Sequence, residues 1–283
     1  MGDGAPCLIV AEVAQAHDGS LGMAHAYVDA VANAGADAVK FQCHIAEAES
    51  TIDEPWRVKP EWCQDATRYD YWRRTAFTSE QWAGLERHAD GAGLVFLCSP
   101  FSLQAVQMLD KLVPAWKVAS GEVGNVPMLD AINRTQKPVI LSSGMSTLAE
   151  LDRAYASLTS DRAVLQCTSA YPCRADDVGL GLLEAYRRRF GCPVGLSDHT
   201  GMLGPSLGAV ALGAAIVEVH VCFEGAFSLD AEASLTPKQL KRLVKGAWEI
   251  EQARKPVNKD EMAVRLEPMR ELFGRKWERR AVA

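Results

Sequence analysis

Apolar residues along the chain follow two alternating patterns. Short unbroken apolar runs recur as CLIVAEV (7–13), DAVKFQ (37–42), LVFLCS (94–99), AWKVAS (115–120), PVILSS (138–143), AVLQCT (163–168), PVGLSD (193–198) and AIVEVHV (215–221). Continuous runs of this length suit strands buried on both faces, hence parallel strands. Between them, apolar residues recur at helical spacing. LGMAHAYVDAVANAGA ends at Gly35, placed as a C-terminal cap glycine. TSEQWAGLERHADGAG opens with Thr78 and Gln81 in capping-box spacing and ends at Gly91 or Gly93. TLAELDRAYASL repeats the box with Thr147 and Glu150, and TPKQLKRLVKGAWEI combines Thr236, Pro237 and Gln239. Segments near 102–112, 126–136, 179–190 and 204–214 are also helix-like.

Eight strands alternating with eight helices over about 250 residues predict an α/β fold, a (β/α)8 TIM barrel, spanning 1–253. A doubly wound open sheet is the alternative, weakened because no glycine fingerprint follows the first strand. The segment 43–78 breaks the spacing. It is rich in Trp, Arg, Asp and Glu and reads as a long loop after the second strand, with short helices, over the barrel mouth. Residues 254–283 read as a C-terminal tail.

Composition is that of a soluble globular protein, 48% hydrophobic and 23% charged. A net charge of −6 argues against a nucleic-acid scaffold or a basic membrane-surface protein. No apolar run is long enough for a membrane-spanning helix, and Asp3 stands where a signal peptide carries Lys or Arg. None of the eight cysteines forms a CxxC pair, and several sit inside apolar runs. Buried thiols in a reducing cytoplasm are therefore expected over disulfides.

The ends of the strands carry the candidate chemistry, because barrel enzymes work at that face. The first ends in Glu12, followed by Gln15, His17 and Asp18. The second carries Lys40 and Gln42, and the third ends in Ser99. The fourth gives Lys117, Ser120, Gly121 and Glu122, and the fifth Ser142, Ser143 and Gly144. Ser169 and Tyr171 follow the sixth; Ser197, Asp198 and His199 end the seventh; His220 lies in the eighth. An isolated lysine in an apolar run can snorkel to the surface. Two in separate strands imply an anionic partner, since burying an unpaired ammonium costs several kcal/mol. With several hydroxyls they describe a site for a phosphorylated carboxylate. The two histidines are either satisfied core residues or ligands of one ion, with Glu12, Glu122 or water completing the shell. Nitrogen and oxygen donors suit Mn2+, Mg2+ or a similar ion better than structural zinc. Asp198 either orients His199 or caps a turn.

The motifs IVAEVAQAHDGS, AGADAVKFQ, FLCSPF, KVASGEVGNVPML, PVILSSGMST, PVGLSDHT and VEVHVCFE…LDAEASLTPKQL run in order from about residue 7 to 252. Together they resemble the sialic acid synthase family, which condenses phosphoenolpyruvate with an N-acylated amino sugar. The resemblance implies a divalent-metal enzyme of the cytoplasm, Mn2+ first, with Mg2+ or Co2+ as alternatives. It implies that His199 and His220 ligate the metal, and that Lys40, Ser99, Lys117, Ser120, Ser142, Ser169 and Ser197 hold phosphoenolpyruvate. Gln42, Glu122, Tyr171 and Asp230 would face the sugar. Glu12 would sit near the metal and its water, with Glu12, Glu122 and His220 as the catalytic set.

Three departures stand out. Ala16 and Ser169 occupy positions where the family commonly has Asn, and the chain ends at GRKWERRAVA, where members continue into a small antifreeze-like domain. In members that domain is swapped across a dimer and lends an arginine to the partner's sugar site. A homodimer, a separate antifreeze-like chain, the 43–78 loop as a substitute, or a different acceptor are the resulting alternatives. The competing activities are a synthase for legionaminic or pseudaminic acid, a Schiff-base aldolase using Lys40 or Lys117, and a non-catalytic sugar-binding barrel.

Overall fold

The computed structural model describes residues 5–56 and 59–274. Eight strands form the barrel: β1 (Leu8–Ala14), β2 (Ala38–Cys43), β3 (Val95–Pro100), β4 (Trp116–Val118), β5 (Val139–Ser142), β6 (Arg162–Cys167), β7 (Val194–Asp198) and β8 (Ile216–Val221). Parallel ladders join them in the order β3-β2-β1-β8-β7-β6-β5-β4, and β3 and β4 lie side by side where the ring closes. The open-sheet alternative is thereby excluded. A two-residue strand, β9 (Ser234–Leu235), pairs with the end of β8 and was not foreseen.

The outer helices are α1 (Leu21–Ala34), α4 (Ser79–Gly91), α5 (Leu103–Leu109), α6 (Val126–Thr135), α7 (Leu148–Ser157), α8 (Leu182–Phe190), α9 (Leu203–Ala211) and α10 (Pro237–Ala253). Two shorter helices, α2 (Ala46–Glu49) and α3 (Arg68–Thr75), lie between β2 and α4. Their boundaries follow local chemistry. Thr78, Thr147 and Thr236 each form a reciprocal capping box with Gln81, Glu150 and Gln239. Such caps contribute about 1 kcal/mol each. Gly35 stops α1 at φ 81°, a left-handed conformation that favours glycine. The expected tail is described as far as Gly274, including α11 (Lys259–Arg265); residues 275–283 lie outside the described residues.

Side-chain alternation splits each strand between two cores. Ile9, Ala11, Val39, Phe41, Leu141, Val164 and Val219 face outward and pack beneath the helices in the main core. Val10, Ala38, Leu97, Ile140, Ala163, Leu165 and Ile216 face inward as a small apolar plug. Gly195 belongs there because a Cβ would strike the Ile216 carbonyl and the Leu165 side chain. One step higher on the same face, the plug gives way to Glu12, Lys40, Ser99, Lys117, Ser142, Ser197 and Glu218, all buried.

The segment after β2 folds onto the mouth around its own small cluster of Ala46, Cys63, Tyr71 and Trp72, with Trp56 and Trp62 against it. Arg74 ties it down, 2.8 Å from Asp18 and 2.9 Å from Asp65. All eight cysteines are free thiols, seven buried and Cys192 partly so. No helix among the described residues is long and apolar enough to cross a membrane.

Candidate active site

A cavity of about 800 Å³ opens at the C-terminal ends of the strands. It gathers Glu12, Lys40, Gln42, Ser99, Lys117, Ser120, Glu122, Ser142, Ser169, Tyr171, Ser197, His199, His220 and Asp230. These residues span the chain, so only barrel closure brings them together.

The floor is an ion-pair network. Lys40 pairs with Glu12, donates to Ser99 Oγ at 3.2 Å and lies 3.7 Å from Glu218. Lys117 donates to Ser142 Oγ at 2.8 Å and lies 3.2 Å from the other Glu218 oxygen. Ser197 donates to Glu218 at 2.9 Å. Burial pulls the Lys40 ammonium down to about 8, against the opposing pull of Glu218. Burial also works against the Glu218 carboxylate, yet Lys117, Lys40 and the Ser197 hydroxyl outweigh it and hold the group at about 2. A charged network this dry survives because each charge has an opposite partner within hydrogen-bonding reach. Glu218 was missed in the sequence. The available signal was its place two residues before His220 in IVEVHV, hence on the same strand face.

Beside the lysines, Gly144 lets the chain after β5 pass close to two hydroxyls. A Cβ there would collide with Ser120 Oγ and Ser169 Oγ. Ser143 instead turns away and bonds Gln166 at 3.3 Å.

The two histidines form the opposite wall. Their rings meet edge to face, centroids 5.2 Å apart. His199 Nδ1 lies 3.0 Å from the Thr168 carbonyl, which accepts its proton and leaves Nε2 with the lone pair. Tyr171 stacks on His199 at 4.2 Å, its hydroxyl 3.3 Å from Nε2. His220 Nδ1 lies 3.5 Å from Asp230. Burial pushes the Asp230 carboxyl up to about 6 and, with His199 alongside, His220 well below its usual range. Burial keeps His220 neutral, whereas Cys167 and the Thr168 carbonyl outweigh burial and raise His199 above its usual range. Once His199 gives up its cavity-side proton, the pair has the donor chemistry of a divalent-ion site, with the His199 tautomer set by the carbonyl. Among the described residues no three His, Cys, Asp or Glu side chains form a ready-made metal shell. A cation here would therefore take His199 and His220 as protein ligands and fill its other positions from water or substrate. Asp198 caps the turn: Oδ1 accepts from Thr200 N at 2.9 Å and Oδ2 from Ser206 Oγ at 2.6 Å.

The outer wall comes mainly from the 43–78 segment. His44 lies flat between Trp72 and Phe101, at 3.8 and 4.1 Å, with Nδ1 2.7 Å from Glu49. Its Nε2 is 3.4 Å from the Gln42 side chain. Arg68 sits over Trp72 at 5.4 Å and donates to Glu54 at 3.2 Å. Glu122 accepts from Asn125 at 2.7 Å. His44, Glu49, Glu54 and Arg68 carried no periodic signal, because they lie outside regular strands. Gln15 lines the cavity, whereas His17 is buried behind it against Phe77 at 4.6 Å.

The NeuB family matches residues 27–259. The chain is 34% identical to the Homo sapiens N-acetylneuraminate-9-phosphate synthase, over 88% of this chain and 71% of that one. It is 33% identical to the Campylobacter jejuni N,N'-diacetyllegionaminic acid synthase, over 87% and 77%. The crystal structure of the Leptospira borgpetersenii sialic acid synthetase, in complex with citrate, superposes with a TM-score of 0.80 at 25% identity, covering 98% of this chain and 97% of that one. The chain belongs to the NeuB family and is an enzyme of the sialic acid synthase type.

Proposed function

We propose that the protein condenses phosphoenolpyruvate with the open-chain aldehyde of an N-acylated amino sugar, resembling N-acetylmannosamine. The products are a nine-carbon 2-keto sugar acid and phosphate. The observation that carries this reading is the placement of Lys40 and Lys117, buried and hydroxyl-bonded, on one floor facing His199 and His220. Lys40, Lys117, Ser99, Ser142 and Ser197 bind the phosphate and carboxylate of phosphoenolpyruvate, with Ser120 and Ser169 at its edge. Gln42, Glu122, Tyr171 and Asp230 orient the sugar. A divalent cation on His199 and His220, Mn2+ first, would supply Lewis-acid polarisation of the aldehyde oxygen.

The new bond joins the methylene carbon of phosphoenolpyruvate to the aldehyde carbon. The aldehyde oxygen takes the C=O electron pair and then the proton that the attacking water gives up, becoming a hydroxyl. Water adds at the phosphate-bearing carbon, whose C–O bond then breaks and expels phosphate with the electron pair. Glu122 is the carboxylate for the water's proton, while Glu12 fixes Lys40 and accepts the Ala14 N–H at 2.7 Å. Confinement of both substrates contributes through effective molarity, about 7–11 kcal/mol at most. Eight free thiols support a cytoplasmic setting.

The test is a panel of N-acyl hexosamines with phosphoenolpyruvate and Mn2+, scored by phosphate release and product mass. Phosphate release that needs both substrates and is lost with EDTA is expected. A borohydride-trapped adduct on Lys40 or Lys117 replaces this reading with a Schiff-base aldolase. Sugar binding without phosphate release leaves only a binding barrel.

A further inference from the structure

We infer that His44 and Glu49 are positioning residues: together they fix the rotation of the Gln42 side-chain amide, and through it the placement of the acceptor sugar. The inference rests on the condensing function proposed above, in which Gln42 faces the sugar. Gln42 is the next-to-last residue of β2. Its main chain is held by the ladder to β3 and by Gln15, whose side chain donates to the Gln42 carbonyl at 3.2 Å. Its side chain ends in an amide on rotatable bonds, with a donor at one end and an acceptor at the other. An amide free to turn over presents either end to a ligand, and binding gains when such a group is held in one pose beforehand.

His44 supplies the hold. It stands two residues beyond Gln42, and both line the cavity. Its Nε2 lies 3.4 Å from one end of the Gln42 amide, which leaves the other end for a ligand. The imidazole itself cannot turn away. Its ring is sandwiched between Trp72 of α3, 3.8 Å away and 10° from parallel, and Phe101, just after β3, 4.1 Å away and 22° from parallel. Its Nδ1 lies 2.7 Å from Glu49 Oε2. An ionised carboxylate only accepts, so Nδ1 carries a proton and the Nε2 edge is the one that faces Gln42. Glu49 is fixed in turn, because its second oxygen accepts the Ile45 N–H at 2.7 Å. Packing alone does not ask for this arrangement. A phenyl ring would fill the gap between Trp72 and Phe101 and would need neither a carboxylate at one edge nor an amide at the other. A buried imidazole with both nitrogens engaged gives direction, where a hydrocarbon ring gives only bulk.

The experiment measures kcat and both KM values by phosphate release, with phosphoenolpyruvate, Mn2+ and the N-acyl hexosamine that the parent enzyme turns over best. Glu49→Gln and His44→Phe are each expected to lower kcat/KM for the sugar by about tenfold, with KM for phosphoenolpyruvate unchanged and the cooperative melt kept. The deciding arm is a double-mutant cycle. In a Gln42→Ala background, Glu49→Gln should cost almost nothing further, because the group it acts through is gone. A full, additive loss in that background overturns the inference. So does parent-like activity in Glu49→Gln, or equal weakening of phosphoenolpyruvate and sugar in the single variants, which would mean that the wall itself had shifted. Where His44→Phe does not fold, Glu49→Gln and the cycle decide alone. Each of these outcomes leaves the condensing function standing. No phosphate release by the parent with any sugar overturns that function and this inference with it.

Discussion

Ile216 and Glu218 stand two residues apart on β8, as do Leu97 and Ser99 on β3, and each pair faces the barrel interior. The lower layer is apolar and closes the barrel as part of its core. The upper layer, on the same strands and in the same register, is a buried network of ammonium, carboxylate, hydroxyl and imidazole groups. Apolar burial in the lower layer contributes about 25 cal/mol per Å² removed from water. The upper layer returns little stability, since desolvation offsets the attraction within its ion pairs. One layer holds the fold and the other holds the chemistry, separated by a single pleat repeat. The outer layer therefore relies on the inner one to stay in place.

Substitutions on the two layers test that division. The largest effect is expected from His220→Ala, which should lower kcat/KM by about 10³ or more, roughly 4 kcal/mol, with the cooperative melt preserved. Full activity in that variant would sink the assignment of the histidine wall. Glu218→Ala should cost about 3–5 kcal/mol of folding stability in denaturant titrations, because it leaves the buried Lys117 ammonium without its carboxylate and Lys40 with Glu12 alone. A neutral result would mean that water screens the floor. Leu165→Ala, in the plug, should cost about 3 kcal/mol of stability yet leave kcat/KM near the parent value at temperatures where it is folded. Equal loss of activity and stability there would erase the distinction between the layers.

The smallest effect concerns His17, a histidine that serves the fold and does not line the cavity. Burial, with His44 nearby, lowers its folded pKa from 6.5 to about 3. As pH falls below about 6.5 the unfolded chain takes up the proton first, so stability present at neutral pH is progressively lost toward pH 3. Between pH 7 and 5 the loss attributable to His17 should be about 2 kcal/mol. His17→Phe should lose less over that interval, as read from urea midpoints at both pH values. An identical pH dependence in parent and variant would contradict a buried neutral imidazole.

All eight strands were legible because each is buried on both faces and so reads as an unbroken apolar run. The threonine-started helices were legible because capping is a contact between residues three apart. Lys40 and Lys117 stood out as charges inside apolar runs. Glu218 also lies inside an apolar run, but nothing local marks it as part of the site, because its partners Lys40 and Lys117 lie on distant strands. β9 was not legible, since two residues carry no period and Ser234–Leu235 is a strand only through its ladder to β8. Asp198 remained ambiguous for a related reason. Its partner Ser206 lies eight residues away on α9, and local spacing does not show which way the carboxylate turns.

The amino-acid sequence by itself determined the strand and helix alternation, the parallel barrel and the residue types at each strand end. Those properties follow from burial periodicity and from hydrogen bonds between near neighbours. Tertiary structure alone decided which ends meet. It joined Lys40 and Lys117 through Glu218, faced His199 to His220, and set the 43–78 segment as an acidic, aromatic wall opposite the floor. Charge pairing and ring stacking act over a few ångströms of space between residues far apart in the chain, and only the closed barrel defines those distances.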